Sequence, residues 1–232
     1  MTGEGPRTPD ADAGRAPGPA AGPRPPPIRV ALATTNRHKA REIAAILAPF
    51  GVEIDVPTSL APVVEDGGTF RENAVKKAAA AAKALNRPAI ADDSGITLPA
   101  LDGAPGIHSA RYAGEGAGDA ANTAKLLAEV ARRGLVDPAA AFVCSAVLVA
   151  PSGRVLAEAE GRVEGVVRGP PRGTNGFGYD PVFHHTGPAH PAPGVRFSEL
   201  APAAKDAMSH RGQAFRALGK SLRALGASAL GA

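Results

Sequence analysis

The chain is poor in several residue types, and each shortage excludes a class of protein. It has no tryptophan, 4% aromatic residues and one cysteine, Cys144, which lies in an apolar run. A single cysteine excludes an intramolecular disulfide and fits a reducing compartment, so we expect an inert, buried thiol in a cytoplasmic protein. No apolar run approaches the roughly 18 residues that cross a bilayer, so we expect no membrane partner.

The charge balance also lacks a clear bias. The 26 basic and 22 acidic residues give a net charge of +4, and the basic residues are scattered along the chain. Nucleic-acid-binding proteins show basic clusters and aromatic side chains that stack on bases. We therefore expect no stable nucleic-acid partner, and an anionic small molecule explains the basic excess at least as well.

Composition divides the chain into two parts. Residues 1–27 are almost entirely Gly, Pro, Ala, Thr, Asp and Arg without a periodic apolar face, which predicts a disordered extension. Hydrophobic residues make up 44% of the whole chain, enough for a proper core. Residues 28–226 are therefore expected to form one folded domain.

Within that domain, strand and helix patterns alternate around a central hairpin. Asn36, the capping box Thr69-Phe-Arg-Glu72 and Ser209 each mark a helix start. This order predicts an α/β fold with a mixed sheet. The predicted strands are 28–33, 52–56, 89–92, 141–150 and 155–167, and the predicted helices are 37–47, 70–85, 119–133 and 211–225.

The most informative segment is Ala91-Asp92-Asp93-Ser94-Gly95, which ends a short apolar run. Neighbouring side chains on a strand face opposite ways, so a bend at Gly95 would present one or both aspartates in a cleft. Carboxylates beside a hydroxyl suit a divalent cation and a phosphate-bearing ligand. The alternative is an ordinary helix cap or turn.

A second polar segment joins the first strand to the first helix. The start of a helix offers backbone N–H groups and the positive end of its dipole, which together favour phosphate. An ordinary capped helix is the alternative. The segment consists of Thr34, Thr35, Asn36, Arg37, His38 and Lys39.

Glu65 and Arg111 lie in two further polar loops. Glu65 could supply another carboxylate to a metal, although, taken alone, a plain acidic loop is the better interpretation. Arg111 could clamp an anion or pair with one of the aspartates.

The last two clusters follow the hairpin. Phe177 and Tyr179, among glycines, resemble a stacking platform for a planar base, with Asp180 able to hydrogen-bond a base edge or a ribose; core packing of both rings is the alternative. Lys205, His210 and Arg211 lie near the start of the last helix. Cations there oppose the helix dipole, which indicates a nearby anion or acceptor unless they are plain surface.

Together these clusters describe a magnesium-dependent enzyme acting on a nucleotide polyphosphate. Nucleophilic catalysis by Ser94 is the competing chemistry, but no G-x-S-x-G pattern surrounds it.

The chain resembles the inosine/xanthosine triphosphate pyrophosphatase family. Six segments match that family in order and span nearly everything from Ile28 to Leu225. They are 33–39, 69–74, 91–95, 105–114, 176–183 and 209–212. The resemblance implies an elongated, two-lobed α/β fold with a long mixed sheet, an active-site cleft between the lobes, and a homodimer.

The resemblance also implies an activity: hydrolysis of ITP, dITP and XTP to monophosphate and pyrophosphate, which prevents their incorporation into DNA and RNA. A sister pyrophosphatase acting on modified pyrimidine or methylated nucleotides is the nearest alternative. A non-enzymatic nucleic-acid-binding protein is the alternative from another class.

Site roles follow by resemblance as well. Asp93 would accept the proton and bind Mg²⁺ together with Glu65, since Val64 stands where the family often has a second acid. Residues 34–39 would hold the triphosphate and Ser94 would contact substrate. The base would lie against Phe177, Gly178, Tyr179 and Asp180, and the purine end or the phosphates against Lys205, His210 and Arg211.

Overall fold

The computed structural model describes residues 27–58, 60–187 and 194–226. The predicted extension, apart from Pro27, lies outside these residues. The strands are β1 Ile28–Leu32, β2 Val52–Asp55, β3 Ala89–Thr97, β4 Ala139–Val149, β5 Val155–Val167 and β6 Phe183–His185. The helices are α1 Arg37–Leu47, α2 Phe70–Leu85, α3 Asp119–Arg132, α4 Pro202–Met208 and α5 His210–Leu225.

The strands form one mixed sheet in the order β2-β1-β3-β4-β5-β6. The first three strands run parallel, and β3 to β6 pair antiparallel. The α/β class, the mixed sheet and the long β4–β5 hairpin are therefore confirmed. The short elements β6 and α4 were not predicted, because three and seven residues are too few to show a periodic pattern.

Helices cover the sheet and divide the core into three apolar clusters. One packs α1 and α5 against β1, β3 and β4. A second cluster, called the β5–β6 cluster below, contains residues of β5, β6 and α3 together with the end of β3 and the beginning of β4. The third packs the alanine face of α2 against the strands. In the part of the chain that the structure describes, no helix is long and apolar enough to cross a membrane.

Strand β3 is longer than predicted, and Gly95 does not bend it. The strand pairs with β4 residue for residue from Ala89 to Thr97, through both aspartates. A Cβ at Gly95 would lie 2.3 Å from Ser109 Oγ and 2.5 Å from the Gly106 carbonyl oxygen. Glycine is therefore needed because the turn at residues 106–111 packs directly on the strand.

The unequal lengths of β1 and β3 open the sheet beside the aspartates. β1 pairs with β3 only through Ala31 with Ala89 and Leu32 with Ile90. Beyond Ile90, β3 continues without β1 beside it, and residues 92–95 border an opening. Ligands of open parallel sheets bind at the carboxyl ends of strands, where such an opening forms.

The predicted helix starts are confirmed, with one difference. Asn36 Oδ1 accepts the His38 and Lys39 N–H groups at 2.9 and 3.1 Å, and Ser209 Oγ accepts the Gly212 N–H group at 3.0 Å. Thr69 caps α2 by accepting the Glu72 N–H group at 3.1 Å. The capping box is only half formed, because the Glu72 carboxylate accepts from Gly68, at 2.7 Å, instead of from Thr69.

Gly161 permits α5 to pack closely on β5, and we predict that Gly161→Ala destabilises the fold. A Cβ there would lie 2.0 Å from the His210 carbonyl oxygen and 2.7 Å from the Ala214 nitrogen. Both are backbone atoms, so the helix must shift, at a cost of about 1–3 kcal/mol. Denaturant unfolding measures the change. Glu160→Ala, at an exposed neighbouring position on β5, is the control, and equal stability of the two variants would contradict the packing argument.

Candidate active site

A cavity of about 700 Å³ lies at the opening beside β3. Its lining includes Ala81 from the α2 cluster and Tyr179 from the β5–β6 cluster, so it lies between two parts of the core. The structure brings every predicted site residue to this cavity except Arg37 and His38. Both are exposed, although the His38 ring lies 5.7 Å from that of Phe177.

The segment predicted to bind phosphate, residues 34–39, does not offer the free backbone N–H groups that the sequence analysis expected. Asn36 occupies the N–H groups of His38 and Lys39, and Thr34 Oγ1 accepts the Asn36 N–H group at 3.1 Å. Anion attraction at this loop therefore rests on the helix dipole, the Thr34 and Thr35 hydroxyls and the Lys39 ammonium group.

Asp92 is a buried carboxylate surrounded by cations. Its Oδ2 lies 2.9 Å from Lys39 Nζ, 3.5 Å from Arg211 Nη2 and 3.2 Å from Ser94 Oγ. Burial favours the neutral acid, but Lys39 and Arg211 outweigh it and hold the pKa of Asp92 well below its usual range. Asp92 is therefore ionised and joins β3 to α1 and α5.

Glu42 extends this ion network, and sequence analysis missed it. Its two carboxylate oxygens each lie 2.8 Å from a cation, Lys205 and Arg211. Burial opposes ionisation of Glu42, but the two cations lower its pKa below the usual value. The available signal was the spacing of Lys39, Glu42 and Ile43, which places two charges beside a buried residue on one helix face.

Asp93 faces a different set of groups. Its Oδ1 lies 3.1 Å from Lys77 Nζ, and its Oδ2 accepts from the Asn73 amide at 3.3 Å. The Asn73 amide is itself fixed, because its Oδ1 accepts the Gly67 N–H group at 2.8 Å. Burial raises the pKa of Asp93, with a smaller contribution from Glu65, and Lys77 and Lys39 only partly offset the rise.

Lys77 links the two carboxylates predicted to bind metal, and it was also missed. Its ammonium group lies 3.0 Å from Glu65 Oε2 while also contacting Asp93. Burial disfavours its charge, but Asp93, Asp92 and Glu65 together raise the pKa of Lys77. The signal was that Asn73 and Lys77, four residues apart, interrupt an alanine-rich helix face.

The donor set fits magnesium bound with help from substrate. Among the described residues, no three His, Cys, Asp or Glu side chains form a metal-binding group. Glu65 and Asp93 supply two carboxylates at one point of the cavity. Mg²⁺ is usually held in this way, by one or two carboxylates plus waters and substrate phosphate oxygens.

The aromatic loop divides its two rings between cavity and core. Phe177 lines the cavity, with Lys205 Nζ 4.9 Å and Arg211 Cζ 5.4 Å from its ring centre. Tyr179 is 4% exposed, packs in the β5–β6 cluster and donates its hydroxyl to the Ser109 carbonyl at 2.8 Å. The stacking role of Phe177 therefore stays a prediction, whereas Tyr179 packs in the core, as the alternative interpretation expected.

Buried hydrogen bonds fix the position of Phe177. Asp180 Oδ2 accepts the Phe177 N–H group at 2.9 Å and lies 2.6 Å from Lys205 Nζ. A Cβ at Gly176 would lie 2.1 Å from that same oxygen, and its φ of 74° favours glycine. Since this oxygen already has two partners, Asp180 orients the loop in the structure.

His210 and Arg111 complete the cavity wall. The His210 ring stacks on Phe142 at 4.7 Å, and burial holds its pKa well below the usual value, so the imidazole is neutral. His210 and Arg211 are both buried, which excludes the plain-surface interpretation. Arg111 pairs with neither aspartate, because it donates to the Glu65 carbonyl at 2.9 Å.

Comparison with known proteins identifies the family. The family model described as the Ham1 family matches residues 30–221, almost the whole folded region. The chain belongs to the Ham1 family. Its relatives include proteins named dITP/XTP pyrophosphatase from Syntrophobacter fumaroxidans, 50% identical over 79% of this chain and 77% of the relative, and from Geobacter sulfurreducens, 46% identical over 82% and 94%.

Solved structures of Ham1 proteins share the fold. The one from Coxiella burnetii is 39% identical, with a TM-score of 0.74, over 83% of this chain and 97% of that one. The one from Staphylococcus aureus is 36% identical, with a TM-score of 0.72, over 85% and 100%. The resemblance drawn from the six sequence segments is therefore confirmed.

We predict that Asp92→Asn lowers the free energy of unfolding by about 3–5 kcal/mol at neutral pH, because it removes one partner of a buried ion pair. The folded pKa is depressed, so the carboxylate stabilises the fold fully above its unfolded pKa of 3.8, and this contribution declines progressively as the pH falls from that value through the folded pKa. The gap between wild type and variant should therefore narrow towards about pH 3.

Denaturant unfolding at neutral pH and at about pH 3 measures the difference in free energy of unfolding between wild type and Asp92→Asn. The control is Asp55→Asn, which breaks an exposed ion pair with Arg87 and should cost about 0–1 kcal/mol. A gap that stays constant with pH would contradict the assigned ionisation.

Proposed function

We propose that this protein hydrolyses ITP, dITP and XTP to their monophosphates and pyrophosphate, and so keeps noncanonical purines out of DNA and RNA. The observation that carries the proposal is the single cavity whose lining combines the hydroxyls and ammonium group of residues 34–39, the carboxylates of Glu65, Asp92 and Asp93, and the ring of Phe177. Such a lining suits a phosphate chain, a divalent cation and a planar base. Relatives named dITP/XTP pyrophosphatase support the substrate class.

The phosphates would bind along the wall that carries the cations. Thr34, Thr35 and Lys39 lie at the start of α1, and Lys77 faces them in the same cavity. Hydroxyls, ammonium groups and a helix dipole all favour phosphate oxygens. Ser94, which accepts from Arg211 Nη2 at 2.8 Å, would complete the contacts to substrate.

Asp93 is the proposed general base. It would take a proton from a water whose oxygen attacks the α-phosphorus, while the bond to the β-phosphate bridging oxygen breaks and pyrophosphate leaves. A raised pKa makes Asp93 a better proton acceptor than Asp92, whose charge is already neutralised by Lys39 and Arg211. Glu65 and Asp93 would hold Mg²⁺, whose positive charge would offset the negative charge that develops at phosphorus.

Base discrimination would depend on donors around Phe177. The purine would stack on Phe177, where Arg211 and Lys205 already lie over the ring. Guanidinium and ammonium groups donate hydrogen bonds and accept none, so they pair with the 6-keto oxygen of hypoxanthine or xanthine. The 6-amino group of adenine would instead leave unpaired, in a buried site, the N–H groups of Arg211 and Lys205 that the neighbouring carboxylates do not use, which is costly.

We also propose Mg²⁺ as the cofactor, a homodimer as the assembly and the cytoplasm as the location. The two carboxylates beside Lys77 support the metal. A single cysteine, buried and with a raised pKa, fits a reducing compartment. The homodimer follows from the family resemblance.

A nucleotide panel tests the proposed activity. With Mg²⁺ present, we expect pyrophosphate release from ITP, dITP and XTP to exceed release from ATP by at least about a hundredfold in kcat/KM, since an unpaired buried donor is heavily penalised. Pyrophosphate and orthophosphate are measured separately. Faster release from a modified pyrimidine or methylated nucleotide would favour the sister activity, and orthophosphate as first product would exclude attack at the α-phosphorus.

We predict that Asp93→Asn lowers kcat by at least about a hundredfold, because the amide keeps the shape but cannot accept the proton. Steady-state turnover of XTP is the measurement. Asp102→Asn, which changes an exposed aspartate in the loop after the same strand, is the control and should leave turnover near normal. Near-normal turnover in Asp93→Asn would remove the proposed base.

A further inference from the structure

Lys77 occupies a position that the proposed reaction does not by itself explain. Its ammonium group bonds both Glu65 Oε2, at 3.0 Å, and Asp93 Oδ1, at 3.1 Å. It therefore stands between the two carboxylates that would receive the metal. The positive charge of an ammonium group in that place attracts both carboxylates, as the charge of a bound metal ion would.

The charges around Lys77 show why such a group is needed. Asp92 has its own cations, Lys39 and Arg211, on the other side of β3. Among the described residues, Lys77 is the cation within salt-bridge distance of Glu65 and of Asp93. Without Lys77, these two carboxylates would have no described cationic side chain within salt-bridge distance, and a divalent cation would meet no competing charge there.

Neighbouring groups do not offer a substitute. Arg111 reaches the Glu65 backbone carbonyl at 2.9 Å and the Glu115 carboxylate at 3.4 Å, not the Glu65 carboxylate. Asn73 donates one hydrogen bond to Asp93 but carries no charge. Lys76, the preceding residue on α2, pairs with Asp66, outside the cavity lining.

We propose that Lys77 is a built-in counter-ion that holds Glu65 and Asp93 in position when no metal is bound, and that a divalent cation displaces it. The inference rests on the proposed magnesium-dependent function. Displacement has two consequences. The nucleotide-free protein binds divalent cations weakly, and the released ammonium group becomes available to the phosphates in the same cavity.

Metal binding to nucleotide-free protein tests the inference without any turnover. Mn²⁺ binding is followed by the paramagnetic resonance of the free ion, and Mg²⁺ binding by calorimetry. Lys77→Gln should bind both ions at least about tenfold more tightly than wild type, because the competing charge is gone. It should also melt at a lower temperature without metal and regain most of the loss in millimolar Mg²⁺.

Two matched variants separate the role of Lys77 from a general charge effect. Lys76→Gln removes the same charge from the same helix and should leave metal affinity and its melting response unchanged. Lys77→Arg keeps the charge and should bind metal as weakly as wild type. Equal or weaker metal binding by Lys77→Gln than by wild type would overturn the proposal.

A measurement on the wild-type chain avoids dependence on how a variant folds. Acetylation of lysine amines, mapped by mass spectrometry, should be slow at Lys77 and should accelerate severalfold when saturating Mg²⁺ or Mn²⁺ is added. Lys76 is the internal reference. An unchanged rate at Lys77 would overturn the displacement, whereas a failed nucleotide panel with a positive labelling result would reject only the proposed substrates.

Discussion

The buried carboxylate of Asp92 is the interaction on which the rest of the site depends. A carboxylate this deeply buried is tolerated only with cations and hydrogen-bond donors at hand, and Lys39 and Arg211 arrive from two different helices. Meeting that requirement fixes the starts of α1 and α5 against β3. The start of α1 also carries the segment predicted to bind phosphate, and α5 brings Arg211 over Phe177, so the requirements of one buried charge influence both ends of the cavity.

Neighbouring aspartates acquire different chemistry because strand geometry sends them to opposite faces. Asp92 meets two cations that outweigh its burial, whereas Asp93 shares Lys77 with a second carboxylate, and burial dominates. This separation requires β3 to continue past the end of β1, because a fully paired strand would leave neither carboxylate beside an opening. The different environments of Asp92 and Asp93 are thus a consequence of β3 extending beyond the end of β1.

Sequence analysis predicted the segments of the site but not its internal pairing. Polar residues at element ends, such as Asn36 and Ser209, are recognisable because capping is a local interaction. Glu42 and Lys77 were missed because they lie inside helices and resemble solvated charges there. Glu42 pairs with Arg211 across 169 residues, and such a contact is set by tertiary packing. The expectation of a bend at Gly95 was wrong for the same reason, because the residue that requires glycine there, Ser109, lies in a later turn of the chain.

Selectivity at a keto oxygen requires donors that do not move when the wrong base arrives. Arg211 is held by Glu42 and Asp92, Lys205 by Glu42 and Asp180, and Asp180 also binds the Phe177 backbone. A flexible arginine could turn away from an adenine amino group at little cost. An arginine held by the buried Asp92 and the partly buried Glu42 cannot turn away without breaking both pairs. In the proposed function, the ion network would therefore make a mismatch of one hydrogen bond costly, because the donors could not turn away from the wrong base.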